Sequence, residues 1–359
     1  MLVFIVVGGI IFLLLRLQLE RVQIRGEIAT CAQAGAQARN CYRDLISQAV
    51  RILPFRDAQA VFTQIANDTH QECHDLAHVF GRMTFLKTGK LPSNIDEQSL
   101  YLCANGFWHG FMTAYAWEHK DAPQDIVTLC SGHPEVNNFE LNCYHGVGIG
   151  SVGDPPDVTI WGNESHMITR AIDACRAIAP TDNTRLECVS GVFHEIIIDK
   201  LAGAFGFPYF NISDPMEFCE GQEKEYKYIC VGQMASQVHI FAKGDPAEFM
   251  KLLAGHIEDK TFLLKAFSLS VQGFVSSMQE ENIASVFVSC QALLPEDRAA
   301  CVYGATAGYL ARGVPSGQIE RVFNLCRGLE EVDKNVCTKQ IVQFADDNNA
   351  CARSHAYCD

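Results

Sequence analysis

The chain is poor in the motifs that most catalytic and nucleic-acid-binding sites are built from. No Cys-x-x-Cys occurs anywhere, which removes zinc ribbons and thioredoxin-type redox motifs. No His-Glu-x-x-His occurs, so no zincin is implied. A Ser-His-Asp order, a nucleophile elbow, a P-loop and a dinucleotide glycine fingerprint are all missing. Basic residues are scarce. The 28 Lys+Arg stand against 42 Asp+Glu and leave a net charge of −14. That is the wrong sign for a phosphate-binding stripe, so nucleic acid is excluded as a main partner. Charged residues make up only 19% while apolar residues reach 48%, a globular composition with room for a large core.

Only one long hydrophobic run is present. Residues 1–15 carry no charge, Arg16 interrupts, and Leu17 and Leu19 follow. The run is short for a span of about 20 residues, but an arginine at its end can snorkel and extend it. No basic residue precedes it and no small-x-small cleavage site follows closely, so it reads as an uncleaved signal anchor, with a signal-peptide core as the alternative. Residues 1–19 are then a transmembrane anchor, 20–30 a juxtamembrane segment and 31–359 the folded domain. Arg16, Arg21 and Arg25 would keep the following side in the cytoplasm. The cysteines argue the reverse, because so many in pairs imply an oxidising compartment. We give the cysteines precedence and expect the body outside the cytoplasm, anchored to the membrane through the first helix. The sequons at Asn67, Asn163 and Asn211 are compatible with export.

Cysteine is what the chain has in excess: 16 residues, an even number. Their spacing is pairwise. The close pairs are Cys31 with Cys41, Cys130 with Cys143, Cys175 with Cys188, Cys219 with Cys230, Cys290 with Cys301, Cys326 with Cys337, and Cys351 with Cys358. That leaves Cys73 and Cys103 for each other. Between paired cysteines the chain is polar; outside them lie apolar stretches at helical period. The simplest geometry is a helical hairpin whose corner is stapled by a disulfide, the first Cys ending one helix and the second opening the next.

The second cysteines head a common frame. Cys103-x-x-Gly106-x-x-His109-Gly110 matches Cys188-x-x-Gly191-x-x-His194-Glu195, and Cys143 with Gly146 and Gly150, and Cys301 with Gly304 and Gly308, repeat it. Gly273 marks a repeat that has lost its disulfide. The frames recur every 30 to 45 residues, the length of two helices and two turns in a solenoid. Tetratricopeptide and ankyrin signatures are absent. A glycine in a soluble helix costs about 1 kcal/mol against alanine, so its repetition implies a need for close helix packing. The expected fold is all-α: stapled αα-hairpin repeats forming a superhelix or a closed helical toroid. Residues 151–166 and 203–215 break the pattern and read as loops, with Phe205, Phe207, Tyr209 and Phe210 packed against the helices.

Twelve histidines cluster. His70, His74 and His78 stand four apart and would share one helix face. His109 and His194 occupy the same repeat position, His145 points to a similar side of its helix, and His78 lies about 60° further round. Stacked in register, these would line one inner surface. Imidazole suits Zn, Cu, Fe and Ni, so one transition-metal ion (Zn, Cu or Fe) is the implied cofactor, with Asp75 and Glu195 as neighbouring acids able to complete the shell or act as a base. The plainer reading makes these histidines structural hydrogen-bonding residues. Two functions follow. The first is an exported, membrane-anchored scaffold that presents a concave, His-lined face to a protein or peptide. The alternative is a metal-dependent hydrolase or oxygen-chemistry enzyme using His70, His74, His78, His109, His145 and His194.

Overall fold

The computed structural model describes residues 18–347 except 21, 25, 70–72, 93–96, 133–138, 153–162, 204–206 and 312–314. The apolar run at 1–15 lies outside the described residues. Among those described, no helix is long and apolar enough to cross a membrane.

No strand occurs among the described residues. The helices are α1 (Ala38–Ile52), α2 (Phe55–Thr69), α3 (Cys73–Thr88), α4 (Glu97–Glu118), α5 (Pro123–Cys130), α6 (Phe139–Val152), α7 (Glu164–Ile178), α8 (Asp182–Leu201), α9 (Glu217–Glu220), α10 (Lys224–Ala235), α11 (Val238–Phe241), α12 (Pro246–Ala254), α13 (Lys260–Ser277), α14 (Glu280–Gln291), α15 (Pro295–Leu310), α16 (Pro315–Arg327) and α17 (Glu331–Asp347). Their starts follow local chemistry. Thr181 and Thr184 form a capping box before α8, Asp245 and Asp259 cap α12 and α13, and proline opens α5, α12 and α15.

One row of helices runs through the molecule: α1, α3, α4, α6, α8, α10, α13, α15 and α17, each packed on the next. The other helices flank the row. The two sets differ in sequence for that reason. Flanking helices such as α7 bury one stripe (Met167, Ile168, Ala171, Ile172, Cys175, Ile178), whereas α6 buries residues on nearly every side because α4 and α8 lie against it and α5 and α7 cover it.

Disulfides join Cys130–Cys143, Cys175–Cys188, Cys219–Cys230, Cys290–Cys301 and Cys326–Cys337, each from the end of a flanking helix to the early turns of the next row helix. Cys31–Cys41 staples helical residues 26–32 to α1. Cys73–Cys103 also forms, but it links two row helices directly rather than a hairpin corner. Seven of the eight expected bonds are therefore present. The eighth, between Cys351 and Cys358, lies outside the described residues, which end at Asp347. Among the described residues no cysteine is free.

The repeated glycines are contact points. A methyl group at Gly273 would overlap the carbonyl oxygen of Ser236, and one at Gly304 that of Ser268, so the repeat without a disulfide packs like the others.

Two local expectations need correction. Ser151 and Val152 finish α6, and Asn163 caps α7, so the break covers at most 153–162. In the second loop Phe207 and Phe210 are buried, but Tyr209 is 78% exposed; Phe205 lies outside the described residues. Phe210 takes its place because Lys200 lies over its ring at 5.0 Å while pairing with Glu164 at 2.5 Å, an anchor at the loop's centre that Tyr209 does not share. Of the expected row His70, His74 and His78, the last two lie on α3, and His70 lies outside the described residues.

Candidate metal centre

Helices α3, α4, α6 and α8 are consecutive in the row, and each carries histidine on the same side. The glycine frame sets how near they come. A methyl group at Gly106 or Gly110 on α4 would overlap the backbone of His74 or His78 on α3. One at Gly146 on α6 would sit 3.3 Å from the His109 Cα on α4, and one at Gly191 on α8 would overlap the carbonyl of His145 on α6. Each of α4, α6 and α8 thus presses a glycine onto the histidine turn of its predecessor. Only the missing side chain permits this, and it draws imidazoles from different repeats into contact.

Five of the six expected histidines converge. Ring centroids lie 4.7 Å apart for His74–His78, 5.4 Å for His74–His109 and 5.5 Å for His78–His109. His145 stands 4.7 Å from His109 and 5.5 Å from His194. His194 stands 6.2 Å from His74 and 6.4 Å from His78. One nitrogen from each of His74, His78 and His109 lies within 4.8 Å of the others. His145 and His194 border this trio without belonging to it.

The trio has the dimensions of a tripod on one ion. Nitrogens about 2.05 Å from a tetrahedral ion put imidazole centroids about 5.2 Å apart and nitrogens about 3.3 Å apart. The three centroid separations bracket that value, and the Nε2 atoms of His74 and His78 are 3.0 Å apart. His74 donates its Nδ1–H to the Cys103 carbonyl at 2.8 Å, as the outer shell of a metal-bound histidine usually does, so its Nε2 carries the lone pair, which accepts from His78 Nε2 at 3.0 Å in the metal-free protein. Cys103 has φ 54° and Asn105 φ 66° inside α4, an excursion into the left-handed region at the carbonyl that receives His74. His109 is 6% exposed, and neither of its ring nitrogens has a hydrogen-bond partner. An orphaned buried imidazole costs about 1–3 kcal/mol unless something takes its lone pair.

The electrostatics keep the rings neutral, the form that binds metal. Burial, and then the neighbouring imidazoles, hold His78, His109 and His145 well below the ordinary histidine value. His194 is pushed down to about 4, chiefly by burial and by His74; a hydrogen bond to the Gln233 side chain and the nearby Asp75 oppose the shift.

The two acids are not ligands in this geometry. Asp75 pairs with Arg39, its Oδ2 accepting from both guanidinium Nε and Nη2 at 3.1 and 2.7 Å. Asp75 contributes no oxygen to the trio. Glu195 is partly buried beside His194 but contributes no oxygen to the trio. Sequence reasoning missed Gln233. Its Nε2 donates to Ser190 Oγ at 2.7 Å and its amide oxygen remains for the His194 N–H. A signal was available: Gln233 stands three after Cys230, where Cys103, Cys143, Cys188 and Cys301 are followed by glycine.

No protein family, no curated protein and no solved structure matches the chain.

Proposed function

We propose that this protein is an extracytoplasmic helical-repeat scaffold that holds one divalent transition-metal ion on His74, His78 and His109. The carrying observation is His109: a buried imidazole with two unpartnered nitrogens, set within 4.8 Å of the nitrogens of His74 and His78. The row packs in chain order, and among the described residues none of its substantial contacts joins the last helices to the first, which supports a superhelix over a closed ring. Seven disulfides and no free thiol among the described cysteines support an oxidising compartment. In the same reading, the apolar run at 1–15 anchors the protein to the membrane.

An all-imidazole set favours Zn, Cu, Fe or Ni over Mg or Ca. Three protein ligands leave a fourth position open, the arrangement of catalytic rather than structural zinc sites. An ion held this way lowers the pKa of a bound water and polarises a bound oxygen, which supports metal-dependent chemistry at the site. The test is elemental analysis of protein purified without chelator, then stripped and refilled with Zn2+, Cu2+ or Fe2+. We expect about one ion per chain, bound by the wild type and lost from His109→Ala while the circular dichroism stays helical. A wild type that binds none of these ions ends the proposal.

A further inference from the structure

The three-histidine tripod leaves two imidazoles without a place in the shell. His194 makes ring contacts with His74, His78 and His145 and, among the described residues, none with His109. At 6.2 and 6.4 Å from His74 and His78 it is farther than the roughly 5.2 Å expected of a fourth tetrahedral ligand. It is also fixed. Gln233 Nε2 donates to Ser190 Oγ, which leaves the Gln233 amide oxygen to accept from the His194 N–H, so in the neutral ring the other nitrogen carries the lone pair. His145 lies between His109 and His194 and closes that side of the site with an imidazole wall.

We propose that the open position carries a water molecule held between the ion and the bare nitrogen of His194, with His194 as a positioning residue and not a ligand. This rests on the metal reading above. The water donates one O–H to His194, its oxygen lone pair goes to the ion, and Gln233 fixes the ring that accepts. The five rings are separated by only 4.7–6.4 Å where they touch, so the exogenous ligand is a small one, of the size of water or a triatomic anion, rather than a sugar or peptide.

Protein loaded with Co2+ supplies the test, because its visible bands report the fourth ligand, and azide is the probe that displaces water. An acceptor at His194 favours water, a donor, over azide, which has no proton to give. Wild type and His194→Ala should both bind about one Co2+ per chain, and azide should bind the variant roughly tenfold more tightly, the loss of one hydrogen bond to the competing water. His194→Gln restores an acceptor oxygen and should return azide affinity toward wild type. Loss of Co2+ from His194→Ala and His194→Gln alike would make His194 a ligand and overturn the proposal. Azide affinity equal in wild type and His194→Ala would overturn it as well. A wild type that binds no Co2+ defeats the metal reading itself, a result distinct from either.

Discussion

His109 sets a trade between stability and binding. Its ring is buried with both nitrogens unpaired, so in the metal-free protein it contributes a desolvation cost and no compensating bond. His109→Leu should therefore leave the metal-free melting temperature unchanged or higher, while abolishing the rise that added metal produces in the wild type; calorimetry with and without Zn2+ reads both. The neutral cluster also predicts a pH dependence. Histidines whose folded pKa is depressed bind protons more readily in the unfolded chain, so their stability contribution is complete above the ordinary value of 6.5 and is lost as pH falls toward about 4, the value for His194. Denaturant titrations of the metal-free protein should show stability falling across that window. A flat profile between pH 7 and 4 would contradict the buried neutral cluster.

At the scale of helices, the glycines decide which residues meet. Gly191→Ala puts a methyl against the His145 carbonyl, a backbone atom that moves only if α6 and α8 separate. Such overpacking costs about 1–3 kcal/mol, and the separation also carries His145 away from His194. Gly232 on α10 has nothing within 4 Å of where its Cβ would stand, so Gly232→Ala should stabilise by about 0.5–1 kcal/mol through helix propensity. Thermal melts of the two variants should move in opposite directions; destabilisation of both would show that the row is not packed through its glycines. The staples act on the unfolded chain instead. The Cys175–Cys188 bond closes a separation of 13 residues, and replacing both cysteines by alanine should cost about 2–5 kcal/mol in denaturant unfolding, with the helical spectrum retained.

Taken whole, each row helix contacts its neighbours; the three proposed ligands sit on α3 and α4, and the histidine cluster around them spans α3, α4, α6 and α8. An ion bound on α3 and α4 and walled by the histidines of α6 and α8 ties that stretch together. Metal should raise the unfolding free energy by about 1.4 kcal/mol for each tenfold excess over its dissociation constant. Hydrogen exchange should show the added protection concentrated in residues 73–201 and little of it in 260–347. Uniform protection along the chain would indicate a different site.

The amino-acid sequence by itself determined the helical class, the hairpin repeat and six of the sequential disulfides. Each depends on residues close in the chain: periodicity within one helix, turn residues between two, cysteines 10 to 13 apart. It also placed His109 and His194 at one repeat position and put histidines on matching helix sides. Three things needed the tertiary structure. The first is the membership of the site, because His78 and His109 meet only where Gly110 lets α4 settle on α3, a distance set by packing between turns remote in sequence. The second is the exclusion of Asp75, which Arg39 claims from 36 residues away. The third is the distinction between three histidines that can share an ion and two that border it. Spacing along a helix gives direction, but whether an imidazole is a ligand or a neighbour turns on ångströms between helices, and close packing alone decides those.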